Sequence, residues 1–184
     1  MQFSMDSNMQ FPLVDLYLNQ GETVFIQRGS MVYHTPNVTL NTQLNANGSG
    51  LGRFVKQVRR SMVHAKSTFI TQAVAQSDNG FLALAPEVPG QVIPLYLGEK
   101  QYRLNDGAFL ALDGTAYYTM ERQSVGKAIF GGQGGLFVMT TQGQGTLLAN
   151  AYGSIRKIEL NNQEVTIDNA HVVAWSQSLD YNIH

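Results

Sequence analysis

The sequence predicts an all-β protein, on three observations. Apolar and polar residues alternate with period two over many short segments, the mark of half-buried strands. Turn-forming clusters separate those segments at regular spacing. The polar share is carried by 29 Asn and Gln side chains against 25 charged ones, with 18 Gly. Charged residues make up only 14%, well under the roughly 25% of an ordinary domain. That composition excludes a solvated disordered chain and suits a protein of many strands and turns.

The segments follow in order. Val14, Leu16 and Leu18 share one face of Val14–Asn19, and Thr23–Gln27 comes after the turn Asn19-Gln20-Gly21-Glu22. Val38–Leu44, Phe69–Ala75, Phe81–Ala85, Val92–Leu97, Phe109–Leu112 and Ala116–Glu121 continue the pattern. Leu136–Thr141, Thr146–Ala151, Ile155–Leu160, Glu164–Asp168, Val172–Trp175 and Asp180–Ile183 complete it. One segment has another period. Leu51, Phe54, Val55, Val58 and Met62 fall at i, i+3, i+4, i+7 and i+11, so an amphipathic helix near 51–63 is expected as an insertion. Ser49 is its candidate N-cap.

The chain also resembles itself. Leu16-Tyr17-Leu18 returns as Leu95-Tyr96-Leu97 and as Ile158-Glu159-Leu160. Each copy is followed at a similar offset by small residues and then apolar ones: Gly29-Ser30-Met31-Val32, Gly107-Ala108-Phe109-Leu110, and Ala170-His171-Val172-Val173-Ala174. Phe69-Ile70-Thr71-Gln72 with Leu82-Ala83-Leu84-Ala85 is matched by Phe137-Val138-Met139-Thr140 with Leu147-Leu148-Ala149. A length of 184 residues is one domain by size. The expected organisation is a single domain of up to three β modules, about 13–92, 93–154 and 155–184, each burying its apolar face on its neighbours.

Several of these segments together resemble a known family. Ala83-Leu84-Ala85-Pro86, Pro89 through Leu95, and Gly107-Ala108-Phe109-Leu110-Ala111 form a running signature. Phe130 through Phe137, Ala151-Tyr152-Gly153 and His171-Val172-Val173-Ala174-Trp175 extend it. Gly29-Ser30-Met31-Val32-Tyr33 also fits, with Ser30 where Ala is usual. In order and spacing, from about Leu13 to Ile183, they resemble the bacterial branch of the altered inheritance of mitochondria family, the twenty-fourth of its series. The resemblance implies small tandem β modules folded like the tryptophan RNA-binding attenuation protein. It supplies no catalytic residues, since the family is uncharacterised in chemistry; its mitochondrial member is associated with inner-membrane organisation.

The residues themselves point to no reaction. With no Cys, thiol catalysis, disulfides and Cys-ligated metals are excluded. His34, His64, His171 and His184 show no metal-helix spacing, and His171 has only Asp168 and Glu164 nearby in sequence, so no metal site and no cofactor are expected. Ser176, His171 and Asp180 could make a triad on paper, but no G-x-S-x-G elbow supports it. Gly131-Gly132-Gln133-Gly134-Gly135 lacks the Lys-Ser/Thr of a phosphate loop and precedes a strand, so it reads as a backbone bend.

Charge is distributed unevenly. No acid lies between Glu22 and Asp78, a window holding Arg28, Arg53, Lys56, Arg59, Arg60 and Lys66, while the remainder nets -7. Arg53, Lys56, Arg59, Arg60 and Lys66 are therefore the candidate residues for an anionic partner, RNA or an anionic membrane surface. The leading expectation is a non-enzymatic structural or interaction module that assembles into a homo-oligomer. RNA binding through the 53–66 window and a small-ligand or metal-binding β protein are the alternatives. The N-terminus shows no signal-peptide pattern and no apolar run approaches the ~20 residues of a membrane span, so a cytoplasmic location is expected.

Overall fold

The computed structural model describes residues 1–6, 8–41, 70–122 and 137–182. Among the described residues fourteen strands run in chain order. The first seven are β1 (Gln2–Met5), β2 (Val14–Leu18), β3 (Thr23–Gln27), β4 (Met31–His34), β5 (Val38–Asn41), β6 (Ile70–Ala75) and β7 (Gly80–Leu84). Then come β8 (Gly90–Leu97), β9 (Tyr102–Asn105), β10 (Phe109–Asp113), β11 (Ala116–Arg122), β12 (Phe137–Gly143), β13 (Gly145–Tyr152) and β14 (Ala174–Ser176). Two single 3-10 turns, Asp106–Ala108 and Asn169–His171, are the helical residues described. The protein is all-β, and every ladder between named strands is antiparallel.

Three sheets result: β1-β2-β7-β4, the six-stranded β5-β6-β3-β10-β13-β8, and β11-β12-β9-β14. The six-stranded sheet serves two apolar cores. Leu16, Leu18, Ile26, Leu82, Leu84, Leu110 and Leu148 close one. Leu97, Leu104, Phe109, Leu112, Met139 and Leu147 close the other. In β13 Leu147 and Ala149 join one core and Leu148 the other, and in β10 Phe109 and Leu112 join one and Leu110 and Ala111 the other, which is why Phe-Leu-Ala-Leu and Leu-Leu-Ala read as unbroken apolar runs. In β2 only one face meets a core, and there the alternation is clean: Val14, Leu16 and Leu18 are buried while Tyr17 is exposed.

The connection pattern occurs twice. Strand β7 lies between β2 and β4 as β13 lies between β8 and β10. Strand β6 lies between β5 and β3 as β12 lies between β11 and β9. Even the irregularities correspond, with a register shift between Met31 and Tyr33 in β4 and another between Phe109 and Ala111 in β10. Leu16-Tyr17-Leu18 and Leu95-Tyr96-Leu97 fall on β2 and β8, at equivalent places.

Most expected strands stand where the alternation puts them, with three differences. Strands β1, β4 and β9 are additional to the expected segments; each has four residues, too few for a clear period. Ile155–Leu160 and Glu164–Asp168 form no ladder, because the strands flanking them do not hydrogen-bond to them. Asp180–Asn182 is likewise outside any strand. The helix expected near 51–63 lies outside the described residues.

Candidate functional site

The outer face of the first sheet carries an aromatic platform. Because Leu16 and Leu18 turn inward, Tyr17 turns outward, directly across the ladder from Phe81 on β7. Their rings meet edge to face, centroids 5.5 Å apart at 70°. From the other side Tyr33 of β4 stacks on Phe81 at 5.4 Å and 25°. The register shift before Tyr33 sets it opposite Ala83 and within reach of Phe81. Tyr17 stays 42% exposed and Tyr33 51%, as does Val32 beside it at 52%. Three rings in a row, two of them open to solvent, are a contact surface rather than a core.

The platform is held rigidly. Thr35 donates its backbone N–H to the Phe81 carbonyl at 2.9 Å, and Phe81 N–H donates to Thr35 Oγ1 at 2.9 Å. Asn37 donates its side-chain amide to Ser77 and Asp78 in the turn leading into β7, fixing the same corner. Asp15, two residues before Tyr17 and so on the same face, pairs with Ser4 and Ala83. Its Oδ1 is buried with no hydrogen-bond partner. The platform thus combines ring faces with an unused acceptor. Among the described strands β4 is the edge of its sheet, paired on one side only.

A second concavity lies between the two halves of the chain. Gln27, Arg28, Glu87 and Gly107 form its polar side; Ile70, Phe109, Met120 and Met139 form its apolar side. Gln27 Oε1 is buried without a partner. The arrangement could hold a small apolar molecule bearing one donor.

Other sequence candidates fall as follows. Arg53, Lys56, Arg59, Arg60, Lys66 and Gly131–Gly135 lie outside the described residues. His171 Nδ1 approaches Asp168 Oδ1 at 3.7 Å, with both side chains more than three-quarters exposed. Ser176 Oγ meets Ser178 Oγ at 2.8 Å rather than His171. Among the described residues no group of three or more His, Asp or Glu is placed to hold a metal ion, and no helix is long and apolar enough to cross a membrane. The sequence alone does not bring Tyr17, Tyr33, Phe81 and Asp15 together; pairing across strands, not spacing along one, does so.

Fold and surface together define an all-β protein of three hydrogen-bonded sheets with an exposed aromatic face. The chain belongs to the family described as Mitochondrial biogenesis AIM24, whose match spans residues 3–184. It is 67% identical over 184 residues to an uncharacterised protein of Streptococcus pyogenes serotype M6, covering all of this chain and 74% of that one. A crystal structure of a Streptococcus pyogenes protein superposes with a TM-score of 0.83 at 61% identity, covering all of this chain and 79% of the other.

Proposed function

We propose that the protein is a non-enzymatic interaction module, built of tandem β modules, that self-assembles through the open face and edge of its first sheet. The supporting observation is the Tyr17–Phe81–Tyr33 platform beside β4, which is an edge strand among the described residues. Apolar rings and an open strand edge are the features that β proteins otherwise cover or charge. Net charge of -1 adds little repulsion to oppose association. The buried, unpartnered Asp15 oxygen calls for a donor such as a backbone N–H, Lys or Arg. A carboxylate on the same strand face as Tyr17 also disfavours a phosphate backbone, which weighs against this platform as an RNA-stacking site.

The test is light scattering on the purified protein and on a Tyr17→Asp/Tyr33→Asp variant. The expected result is an oligomer that the double substitution dissociates while the circular dichroism spectrum stays that of a β protein. A wild-type monomer of 20.3 kDa at tens of micromolar would overturn the reading.

A second reading rests on the concavity between the halves. Gln27 Oε1, buried beside Phe109 and Met139, supports binding of a small apolar ligand with one donor. Native mass spectrometry of protein purified without denaturant tests it. A co-purifying small molecule lost on Gln27→Leu supports this reading, and a bare polypeptide mass rejects it.

A further inference from the structure

We propose that the concavity between the two halves of the chain takes a small flat aromatic molecule carrying one N–H donor, a ligand of the indole class. The inference rests on the reading of that concavity as a ligand site and names what the site selects. It comes from comparing two strand junctions of like register. At the first, β3 pairs with β10 and the ladder stops at Ala111↔Ile26. At the second, β9 pairs with β14 and the ladder stops at the corresponding Ala174↔Leu104. One residue further on stand Gln27 and Asn105. Asn105 closes its junction. Its side-chain amide donates to the Val172 carbonyl at 2.6 Å, and its backbone N–H donates to the Val173 carbonyl at 3.2 Å. Phe109 stands in the place of Val172, two residues before Ala111, and lines the concavity together with Gln27. Instead of bonding across, Gln27 keeps a buried Oε1 without a hydrogen-bond partner. The β10–β13 register shifts across Leu110 at this point, and the seam between the halves stays open.

The opening holds about 290 Å³, near the lower end of small-molecule sites. Its lining is layered. Arg28 and Glu87 are exposed and form a charged rim. Phe109, Met139 and Ile70 are buried, and Met120 is half-buried. Each layer restricts the ligand. A buried acceptor requires a donor, since leaving it unmade costs more than the bond itself returns. An N–H suits Gln27 Oε1, because it is donor only and brings no lone pair to be buried in turn. An ammonium does not, since Glu87, the carboxylate that would balance it, stays at the exposed rim. The two thioethers and the phenyl ring favour an aromatic body over an aliphatic one, because sulfur contacts ring edges and rings pack edge to face. The lining shares no residue with the Tyr17–Phe81–Tyr33 face, so the site is separate from the proposed assembly surface.

The probe is indole, and the control is benzofuran, the same bicycle with an ether oxygen in place of the N–H. Both are titrated into the full chain, isotope-labelled at its methionine methyl groups and followed by NMR. Indole is expected to shift the Met120 and Met139 signals saturably and to leave exposed Met9 unmoved. It should bind about tenfold tighter than benzofuran, the effect of one hydrogen bond to a buried acceptor. Gln27→Leu replaces the amide by an apolar side chain and should erase that preference, binding the two alike while circular dichroism stays that of the wild type. Equal affinities in the wild type overturn the inference whatever the variant does, so a variant that fails to fold leaves the test intact. Indole shifts that miss Met120 and Met139 overturn it as well. Native mass spectrometry separates this failure from that of the underlying reading. A co-purified molecule without an aromatic N–H, lost on Gln27→Leu, keeps the ligand site and overturns the aromatic assignment. A bare polypeptide mass with no shift from either probe overturns both.

Discussion

Gly114 and Gly98 look alike in the sequence, each following a strand, yet the structure gives them opposite tolerance for a methyl group. A Cβ on Gly114 would sit 2.4 Å from the Thr23 carbonyl oxygen, 2.7 Å from Thr23 Cβ and 2.8 Å from Thr23 C. Ordinary van der Waals separation begins at 3.4 Å, so backbone must part from backbone by about 1 Å. The hydrogen bond from Gly114 N–H to Thr23 O, now 2.8 Å, would break in that movement. It lies at the end of the β3–β10 ladder, whose three residue pairs join the two halves of the chain. Overpacking against rigid structure costs about 1–3 kcal/mol. One broken hydrogen bond adds about 0.5–1.5 kcal/mol. Gly114→Ala is therefore expected to destabilise by about 2–4 kcal/mol, lowering Tm by roughly 5–15 °C for a chain of this size. Gly98, with nothing within 4 Å of its would-be Cβ, should tolerate Ala within about 0.5 kcal/mol. Urea unfolding of both variants, read as midpoints at constant slope, makes the comparison. If Gly114→Ala unfolds within about 0.5 kcal/mol of wild type, the tight seating of β10 on β3 is refuted.

Asp113 provides a pH test. Its burial alone would raise its pKa, but the hydrogen bond from the Met1 ammonium at 2.8 Å and those from Thr115 outweigh it and hold the carboxyl below its ordinary value of 3.8. A lowered folded pKa contributes stability that is complete above the unfolded value and disappears as pH falls through the folded one. Asp113→Asn should therefore destabilise at neutral pH and show a smaller drop in stability below about pH 4 than wild type; parallel curves would show that Asp113 carries no such linkage. For the basic window, Arg59→Glu with Arg60→Glu is expected to weaken any binding to single-stranded RNA or to anionic vesicles. The salt dependence should flatten by about one unit of slope for every phosphate that the protein no longer neutralises. Binding unchanged by both substitutions would make the window an ordinary solvated face.

That the protein is all-β, and where most of its strands run, follows from local pattern alone. Half-buried strands must alternate and doubly buried ones must be uniformly apolar, and both signatures sit within a few neighbouring residues. Val14-Asp15-Leu16-Tyr17-Leu18 and Thr23–Gln27 are therefore legible to within a residue. The return of Leu16-Tyr17-Leu18 at Leu95 is legible for the same reason. The choice of pairing partners belongs to the folded chain. Alternation cannot tell that Phe81 lies between Tyr17 and Tyr33, since β7 is distant in sequence from both β2 and β4 and comes between them only through the hydrogen bonding of the folded sheet. Nor can it tell that Ile158–Leu160 and Glu164–Asp168, which alternate, form no ladder. A strand exists by virtue of its neighbours, and alternation records only which side of it is apolar.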